Sequence, residues 1–534
     1  MNLCILHCWR AFGTLLLSLV AILLTNILAV ADDSETPASQ EGLSRSQMIT
    51  RIDEQINERL AAANISPAPI ADDAEFLRRV YLDLTGAIPR VAEVRDFLAD
   101  ERPDKRAKLI DKLLDSPAHA THLANTWRNI MLPGGLNIEQ INNVVGVQNW
   151  LRTRFVDNLR YDNMVSELLV ATAGDDVGPA LYYTSLDLAP EKLASSTARI
   201  FLGLQIECAE CHDHPFDKWK QKDFWGYAAF FARLERPTDA NPGMRVRLVD
   251  LETGEVKLPK TEEIVPPKFP GGGSPDAGEA GSRRVQLAIW MASRDNPYLP
   301  RAGVNRVWAQ LFGRGLVEPV DDLGPHNVPS HPQLFDELTA YFVDTGFDLR
   351  ELYRTLANTH AYQRTSQWTA DKPVPPEFFA HAAVKTLTAE QLYDSLNRVL
   401  ARKPQSMFPG QPAGTPLLDP QRQAFIAKMQ SQARSPLDYQ AGILQALTQM
   451  NGTDMAEATD PQRSPLVGAL EAPFFADPDR VSALFLATLS RPPREDEQQT
   501  FLAHLDKFSV SEKQKALGDV LWALLNSAEF SLNH

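Results

Sequence analysis

Apolar residues recur at three- and four-residue spacing along most of the chain, which is the period of an amphipathic helix. The first two stripes consist of Ile49, Ile52, Ile56 and Leu60, then of Phe76, Val80 and Leu84. Thr85-Gly86 should close the second helix, because Gly is a common helix terminator. Pro89–Val94 predicts a helix start, with Pro near the first turn. Further helices are predicted at Lys105–Leu114, Trp127–Leu132, Val144–Leu159, Glu191–Ile206 and Lys218–Leu234.

The helical pattern is interrupted between about residues 235 and 283. Alternation from Met244 to Leu251, a turn, and then Val256–Leu258 predict a short β-hairpin. The Pro- and Gly-rich run at 270–278 has the composition of a flexible linker. Helical periodicity resumes at Arg284 and continues to the C-terminus, apart from a second Pro- and Gly-rich stretch at 403–420.

We therefore predict a mainly α protein with two helical domains, residues 46–235 and 284–534. Residues 236–283 should form the linker between them and carry the small β element. No internal repeat of solenoid period is present in the sequence.

Residues 1–31 have the pattern of an export signal. Arg10 precedes an apolar run from Phe12 to Val30, and the run ends in Ala29-Val30-Ala31. Small residues at the −3 and −1 positions are what signal peptidase requires, so we predict cleavage after Ala31. The alternative is an uncleaved membrane anchor, because the run is nearly long enough to span a bilayer.

Cleavage would place the mature chain in the periplasm or cell envelope. Residues 32–45 are polar and acidic, and they predict a disordered leader. Of the four Cys in the sequence, only Cys208 and Cys211 would remain. Outside the cytoplasm, thiols oxidise unless something occupies them.

Composition excludes several classes of protein. The 534 residues are 44% hydrophobic and 23% charged, as in an ordinary globular protein. The formal net charge of −15 argues against a nucleic-acid binder, because phosphate binding needs a basic face. No P-loop, zinc-protease, nucleophile-elbow or dinucleotide motif is present.

The chemistry concentrates in the segment from Glu207 to Phe216. Cys208, Cys211 and His212 form the C-x-x-C-H pattern of c-type haem attachment. Two thiols three residues apart on one helical turn can each form a thioether to a haem vinyl group. The adjacent His then donates an imidazole nitrogen to the iron. The leading prediction is therefore covalent haem c, with His212 as the proximal ligand and the distal ligand unknown.

Three other interpretations remain open at this stage. Cys208 and Cys211 could form a redox dithiol or a local disulfide, with His212 incidental. Cys208, Cys211, His212 and His214 could instead hold one structural zinc ion, although four ligands within seven residues is a tight arrangement. The cysteine pair could also be merely structural.

Other candidate ligands are weaker. His326 and His331 flank a loop after Asp321-Asp322, and could be metal or axial ligands or simply hydrogen-bonded turn residues. His360 on a helical run is a further distal candidate. Met244 and Met291 are possible thioether ligands, but Met more often fills cores. Helical spacing predicts core packing for the aromatic residues Trp219, Phe224, Trp225, Tyr227, Phe230 and Phe231.

Three long motifs resemble one large family. They are Arg78–Pro89 (RRVYLDLTGAIP), Cys208–Trp219 (CAECHDHPFDKW) and Asn305–Pro319 (NRVWAQLFGRGLVEP). The chain is similar to exported planctomycete-type proteins in which a cytochrome-associated domain precedes a second conserved domain, both of unknown function. The resemblance covers roughly residues 45–235 and 284–532.

The resemblance implies redox work at the cell envelope, because relatives often carry an additional N-terminal cytochrome c-like domain. This sequence has one C-x-x-C-H motif, at Cys208–His212. The functional hypothesis is an exported haem-c protein that exchanges electrons with an unidentified redox partner, such as another envelope cytochrome. The rival hypothesis is a non-redox envelope protein, which would be either a binding scaffold or a protein associated with polysaccharide degradation. In that case a zinc ion or a disulfide would cross-link the motif. Any membrane contact would come through an uncleaved signal.

Overall fold

The computed structural model describes residues 42–132, 141–172, 178–235, 248–275, 281–370, 372–401, 419–429, 450, 452–509 and 512–534. The predicted signal at 1–31, most of the predicted leader at 32–45 and nearly all of the 403–420 stretch lie outside these residues. Within them, residues from Arg45 to His534 belong to one compact unit.

The protein is mainly α-helical, as predicted. In the first part of the chain the helices are α1 (Arg45–Ala62), α2 (Asp73–Thr85), α3 (Val91–Ala99), α4 (Lys105–Leu114), α5 (Pro117–Met131), α6 (Ile141–Val156), α7 (Tyr161–Leu169), α8 (Gly178–Ser185), α9 (Pro190–Thr197) and α10 (Gln221–Ala228). The next are α11 (Arg283–Ala292), α12 (Leu299–Phe312), α13 (Pro332–Asp344), α14 (Leu349–Ala357) and α15 (His360–Gln363). The last are α16 (Ala389–Val399), α17 (Pro420–Met429), α18 (Thr453–Thr459), α19 (Pro465–Leu470), α20 (Asp477–Thr488), α21 (Glu495–Leu505), α22 (Lys513–Leu525) and α23 (Ala528–Ser531).

None of the helices in the described ranges is long and apolar enough to cross a membrane.

Helix α2 shows how local sequence sets the boundaries of an element. The Asp72 side chain caps its first turn by accepting hydrogen bonds from the main-chain nitrogens of Ala74 (3.0 Å) and Glu75 (2.9 Å). Gly86 ends the helix in the left-handed conformation (φ 73°), and its N–H donates to Leu82 O. The helix ends where Thr85-Gly86 predicts.

Two large hydrophobic clusters fill most of the interior of the described residues, and they divide near residue 387; a third, small cluster consists of Ala229, Val256 and Val265. The larger cluster joins apolar side chains of α1–α10 with those of α11–α15, and thus includes residues on both sides of 236–283. The smaller cluster comes mainly from α16–α23 and includes Leu82 and Ile88 from the beginning of the chain. The boundary predicted at 236–283 therefore separates segments that share one core, and the two-domain division itself stays a prediction.

Buried charged residues connect distant parts of the chain. Asp83 of α2 forms a buried ion pair with Lys385 at 2.6 Å. The same ammonium donates at 2.9 Å to two carbonyl oxygens in the last turn of α12. The hydroxyl of Tyr362 and the amide of Asn533 donate to the Asp83 carboxylate. Because nearly every partner is buried, this network is satisfied only when all five chain segments are in place.

The Arg78 guanidinium makes a second long-range connection. It donates to the main-chain oxygens of Thr488 (3.0 Å) and Phe530 (2.9 Å), and the side chain is 1% exposed. The beginning and end of the compact unit are thereby joined through one buried side chain.

The small β element exists, but its pairing differs from the predicted hairpin. Strand β1 (Leu234–Glu235) pairs with β2 (Val249–Asp250), and β3 (Val256–Lys257) pairs with β4 (Ile264–Val265). The segments before and after the 252–255 turn were predicted to pair with each other, and that pairing is wrong. Each finds its partner elsewhere, because alternation shows that a segment is a strand without showing which strand it joins.

A third pair of strands, β5 (Lys385–Thr386) and β6 (Leu532–Asn533), is also antiparallel.

Candidate functional site

The chain reaches the C-x-x-C-H motif through a broken helix. The predicted helix over Glu191–Ile206 is α9 followed by a π-helical turn (Ala198–Leu202), and it stops at Gly203. Gly203 has φ 63°, and its carbonyl accepts a hydrogen bond from the Leu323 N–H at 2.7 Å. A Cβ at this position would lie 2.8 Å from the Leu323 side chain. The sharp exit from the helix and the close approach of the second half of the chain therefore both require Gly here.

A short 3-10 turn (Glu207–Glu210) then carries the motif. Ile206 and Ala209 are buried and anchor the turn in the core, whereas Cys208 and Cys211 are exposed free thiols. Residues three apart in a 3-10 turn project in the same direction. Both thiols are thus available on one accessible face of a fixed turn.

The His212 side chain is exposed, and its Nδ1 lies 2.8 Å from the main-chain oxygen of Asp213. The carbonyl can only accept, so the contact assigns the proton to Nδ1 and leaves the Nε2 lone pair free. A metal-binding His commonly donates its second ring N–H to a carbonyl in this way. His212 therefore has the tautomer that a ligand through Nε2 requires.

Side chains of helix α10 hydrogen-bond to the backbone of the motif. The Gln221 side chain donates to the carbonyl oxygens of Glu210 (3.1 Å) and Cys211 (2.9 Å), and the indole of Trp225 donates to Glu210 O at 3.0 Å. The Asp213 carboxylate accepts the Gln221 N–H at 2.9 Å. That hydrogen bond is the main reason why the pKa of Asp213 lies below its usual value. The backbone of the motif is thus fixed by side chains outside it.

His214 has a different environment from His212. Its main-chain N–H donates to Trp219 O at 2.8 Å, and its Nδ1 accepts the Phe216 N–H at 3.3 Å. The imidazole is therefore occupied within its own loop. In the part of the chain that the structure describes, no group of three or more His, Cys, Asp or Glu side chains is placed to hold a metal ion.

A polar cleft of about 430 Å³ adjoins the motif. Its walls include Lys192, Arg199, Glu207 and Glu210. Burial raises the pKa of the Glu207 carboxyl. These charged walls are unlike the apolar pocket that encloses a buried porphyrin. The donor set of two thiols and a free imidazole nitrogen fits the attachment of haem c, and it offers that attachment at the surface.

The loop that contains His326 packs close to the motif. The Asp321 carboxylate binds Arg199 (3.1 Å) and Gln205 (3.0 Å), which lie just before Glu207. His326 itself is held by Asp322, with Nε2 and Oδ2 3.0 Å apart. Asp321, Asp322 and His326 are close in sequence and were expected to share a loop. The structure shows in addition that this loop lies against the segment leading to Cys208.

Of the remaining candidates, His331, His360 and Met291 contact other parts of the described chain. His331 is 5% exposed, with Nδ1 against Ser330 Oγ at 3.1 Å and no partner for Nε2. The His360 side chain is exposed and lies 3.7 Å from the Asp53 carboxylate. Met291 is fully buried, and Met244 lies outside the described residues. Of the six predicted core aromatics, Trp225 is half-buried and the other five are buried: Trp219, Phe224, Tyr227, Phe230 and Phe231.

A second polar site, a groove of about 260 Å³ between α5 and α16, was not predicted from the sequence. His122 lines one wall, and Glu390 and Asp394 line the other. The only local signal is the i, i+4 spacing of the two carboxylates on one helix face. Nothing in the spacing connects them with His122, because the two helices lie more than 250 positions apart in the chain.

Comparison with known proteins gives two family matches. Residues 51–236 match PSCyt2, described as a protein of unknown function (DUF1549), and residues 283–423 match PSD1, described as a protein of unknown function (DUF1553). The order of the two agrees with the predicted resemblance, and the motif at Cys208–His212 lies in the first. No curated protein and no solved structure matches the chain.

Proposed function

Because the chain belongs to the proteins in which a PSCyt2 region precedes a PSD1 region, we propose that it is an exported haem-c protein with an electron-transfer role at the cell envelope. Cys208 and Cys211 would anchor the haem through thioethers, and His212 would bind the iron. The haem would supply one-electron redox chemistry.

The contact between His212 Nδ1 and Asp213 O carries this proposal. It orients the ring, places the proton on the nitrogen away from the iron and leaves Nε2 as the donor. Neither a disulfide nor a structural cysteine pair needs an adjacent imidazole in this state. A zinc site would need all four candidate side chains, and His214 Nδ1 is taken by the Phe216 N–H.

The chain's own residues would position the group rather than enclose it. Gln221 and Trp225 hold the carbonyls of the motif, so the two thiols keep their places on the turn. Attachment outside the cytoplasm is consistent with the predicted export signal at 1–31.

The test is haem staining on a denaturing gel, with metal analysis, after expression with a haem-c maturation system. Cys208→Ser or Cys211→Ser should weaken or abolish covalent attachment, and His212→Ala should disturb both ligation and maturation. His214→Ala is the matched control, because it removes an imidazole two residues away that is bound in its own loop. It should leave attachment intact.

Each rival gives a different result in the same experiment. A colourless wild-type protein with one equivalent of zinc, lost in all four variants, would show a zinc site. A colourless protein with a Cys208–Cys211 disulfide that tolerates both His substitutions would show a redox or structural cysteine pair. Either result would overturn the haem proposal.

A further inference from the structure

The groove between α5 and α16 joins the two family regions and is independent of the C-x-x-C-H motif. Its floor is the Gly86 turn that ends α2. A Cβ on Gly86 would lie 2.5 Å from His122 Nδ1, so the imidazole rests directly on the glycine. Among the described residues, no group forms a hydrogen bond to the His122 ring. Burial lowers the pKa of His122, which keeps the ring neutral.

The opposite wall consists of carboxylates that already have cationic partners. Glu390 binds Arg128 and Asn129, both at 3.0 Å and both through Oε1, and within the described ranges Oε2 makes no hydrogen bond to another residue. Arg422 binds both oxygens of Asp394 at 3.0 Å. Each carboxylate keeps further lone pairs for an additional donor.

The charge of the groove is therefore close to balanced. An anionic ligand would be repelled by the two carboxylates, and a cationic ligand would compete with two arginines that are nearly fully buried. Among the described residues that line the groove, Arg398 carries the only positive charge. Its guanidinium already donates to Ile88 O and lies over the ring of Tyr81. A zwitterionic amino acid would thus find one partly engaged cation for its carboxylate and two carboxylates beside it.

The polar groups that remain suit hydroxyl groups. Glu390 and Asp394 accept hydrogen bonds, the Asn125 amide can donate, His122 can do either, and Thr121 keeps one lone pair for a further donor because its hydrogen is donated to Pro117 O and its oxygen already accepts Arg152 Nε. The volume lies just below the range of roughly 300–1,000 Å³ that is typical of drug-sized ligands, so it holds one small ring. We propose that this groove binds a neutral, polyhydroxylated molecule of the size of one sugar ring.

Ligand-observed saturation-transfer NMR on the full chain tests this proposal. The probes are three neutral hexoses (D-glucose, D-galactose and D-mannose), with D-glucosamine and D-glucuronate as charged counterparts of the same ring and L-serine as a zwitterionic amino acid. We expect saturable binding of at least one neutral hexose. The charged analogues should bind about tenfold more weakly, because each adds a charge that the groove leaves unpaired.

Two threonines on α5 provide matched variants. Thr121 lines the groove and Thr126 does not, while each hydroxyl donates to the carbonyl oxygen four residues earlier. The Thr121 hydroxyl also accepts a hydrogen bond from Arg152 Nε at 3.1 Å, so Arg152→Gln serves as a second control for the loss of that contact. Thr121→Val should weaken hexose binding several-fold, and Thr126→Val should leave it unchanged. Ala118→Phe fills the groove with an apolar ring and should abolish binding. Circular dichroism checks that each variant is folded. If Ala118→Phe does not fold, the comparison of the two threonine variants alone tests whether the groove binds the hexose.

Three results would overturn the proposal. They are no binding of any neutral hexose at millimolar concentration, tighter binding of glucosamine, glucuronate or L-serine, and hexose binding that persists in folded Ala118→Phe. None of them bears on haem attachment at Cys208, so the two proposals fail separately.

Discussion

Single residues determine how the interior tolerates charge. Lys385 and Asp83 are both nearly inaccessible, and their ion pair is completed by carbonyl, hydroxyl and amide partners from three other segments. A buried pair of this kind contributes little beyond a well-packed apolar pair, but the loss of one member leaves a buried charge uncompensated. His331 is a second case, a neutral imidazole enclosed without a partner for Nε2.

We expect Lys385→Met to lower the free energy of unfolding by about 3–5 kcal/mol, because Asp83 would keep its charge without the ammonium. Urea unfolding followed by circular dichroism measures the change. Lys192→Met is the control, since the Lys192–Asp187 pair is exposed on both sides and its loss should leave the free energy of unfolding nearly unchanged. Equal effects of the two substitutions would contradict the buried-pair interpretation.

Stability should fall as the pH drops from 6.5 towards 4, in part through His331. Burial lowers the pKa of His331 from 6.5 to about 4, so in this window the unfolded state takes up a proton that the folded state refuses. The shift corresponds to about 3 kcal/mol that is present above pH 6.5 and lost below pH 4. Urea unfolding at pH 7, 6 and 5 should show a smaller pH dependence for His331→Gln than for wild type. Parallel curves would exclude a contribution of this residue.

The residue scale is also where the sequence was most informative. The C-x-x-C-H spacing locates two exposed thiols and an imidazole on one turn, and the structure describes such a turn. The hydrogen bond from His212 to Asp213 O could not be predicted, because it depends on the path of the backbone after the motif. His122 was not singled out, since an isolated His on a helix has no local signature.

At the scale of elements, the local sequence predicted most helices correctly, whereas it did not predict which strands pair. Helix α2 ends at the predicted Gly86, because a terminating glycine acts within one turn. The predicted helix to Ile206 stops at Gly203 instead, where Leu323 of a distant loop packs against the backbone. Strand β2 pairs with β1 rather than β3 for a similar reason, because its partner is chosen by tertiary packing.

Gly203→Ala should destabilise the protein by about 1–2 kcal/mol or more, because the left-handed conformation disfavours a Cβ and the Leu323 side chain would have to move. Gly468→Ala is the matched control. Gly468 lies within α19, is exposed and has no neighbour within 4 Å of a Cβ position, so alanine should stabilise by about 0.5–1 kcal/mol. Thermal unfolding measures the change in stability of each variant. Changes in unfolding temperature of the same sign for the two variants would contradict the argument.

At the scale of the molecule, the two family regions share their interior. Residues from both regions belong to the larger hydrophobic cluster, and Leu82 and Ile88 of the first region belong to the smaller one. Composition predicts the linker between the regions. It does not predict that the regions pack into a common core, because periodicity shows which face of a helix is apolar without showing which helix covers it.

Limited proteolysis should therefore cut first between about residues 271 and 282, in the Gly- and Pro-rich stretch, yet the two fragments should stay together. Phe269 stacks on Phe230 (4.9 Å between ring centroids) and Trp290 (5.1 Å), which holds the chain just before that stretch. Size-exclusion chromatography of the nicked protein in native buffer should give one peak that separates only in denaturant. Fragments that separate without denaturant, or first cuts inside 190–235, would contradict this prediction.

The reach of Arg78 has a consequence for how the protein is made. The Arg78 guanidinium donates to the carbonyl of Phe530, which lies 452 positions later in the chain. Helix α2 therefore leaves the ribosome long before this acceptor has been synthesised. Until then Arg78 and Leu82 of α2 lack the later residues that bury them, although the other apolar side chains of the helix can already pack against α3–α5. The early part of the chain must accordingly be kept soluble during synthesis, and the native interior closes only after residues 488–533 have been added.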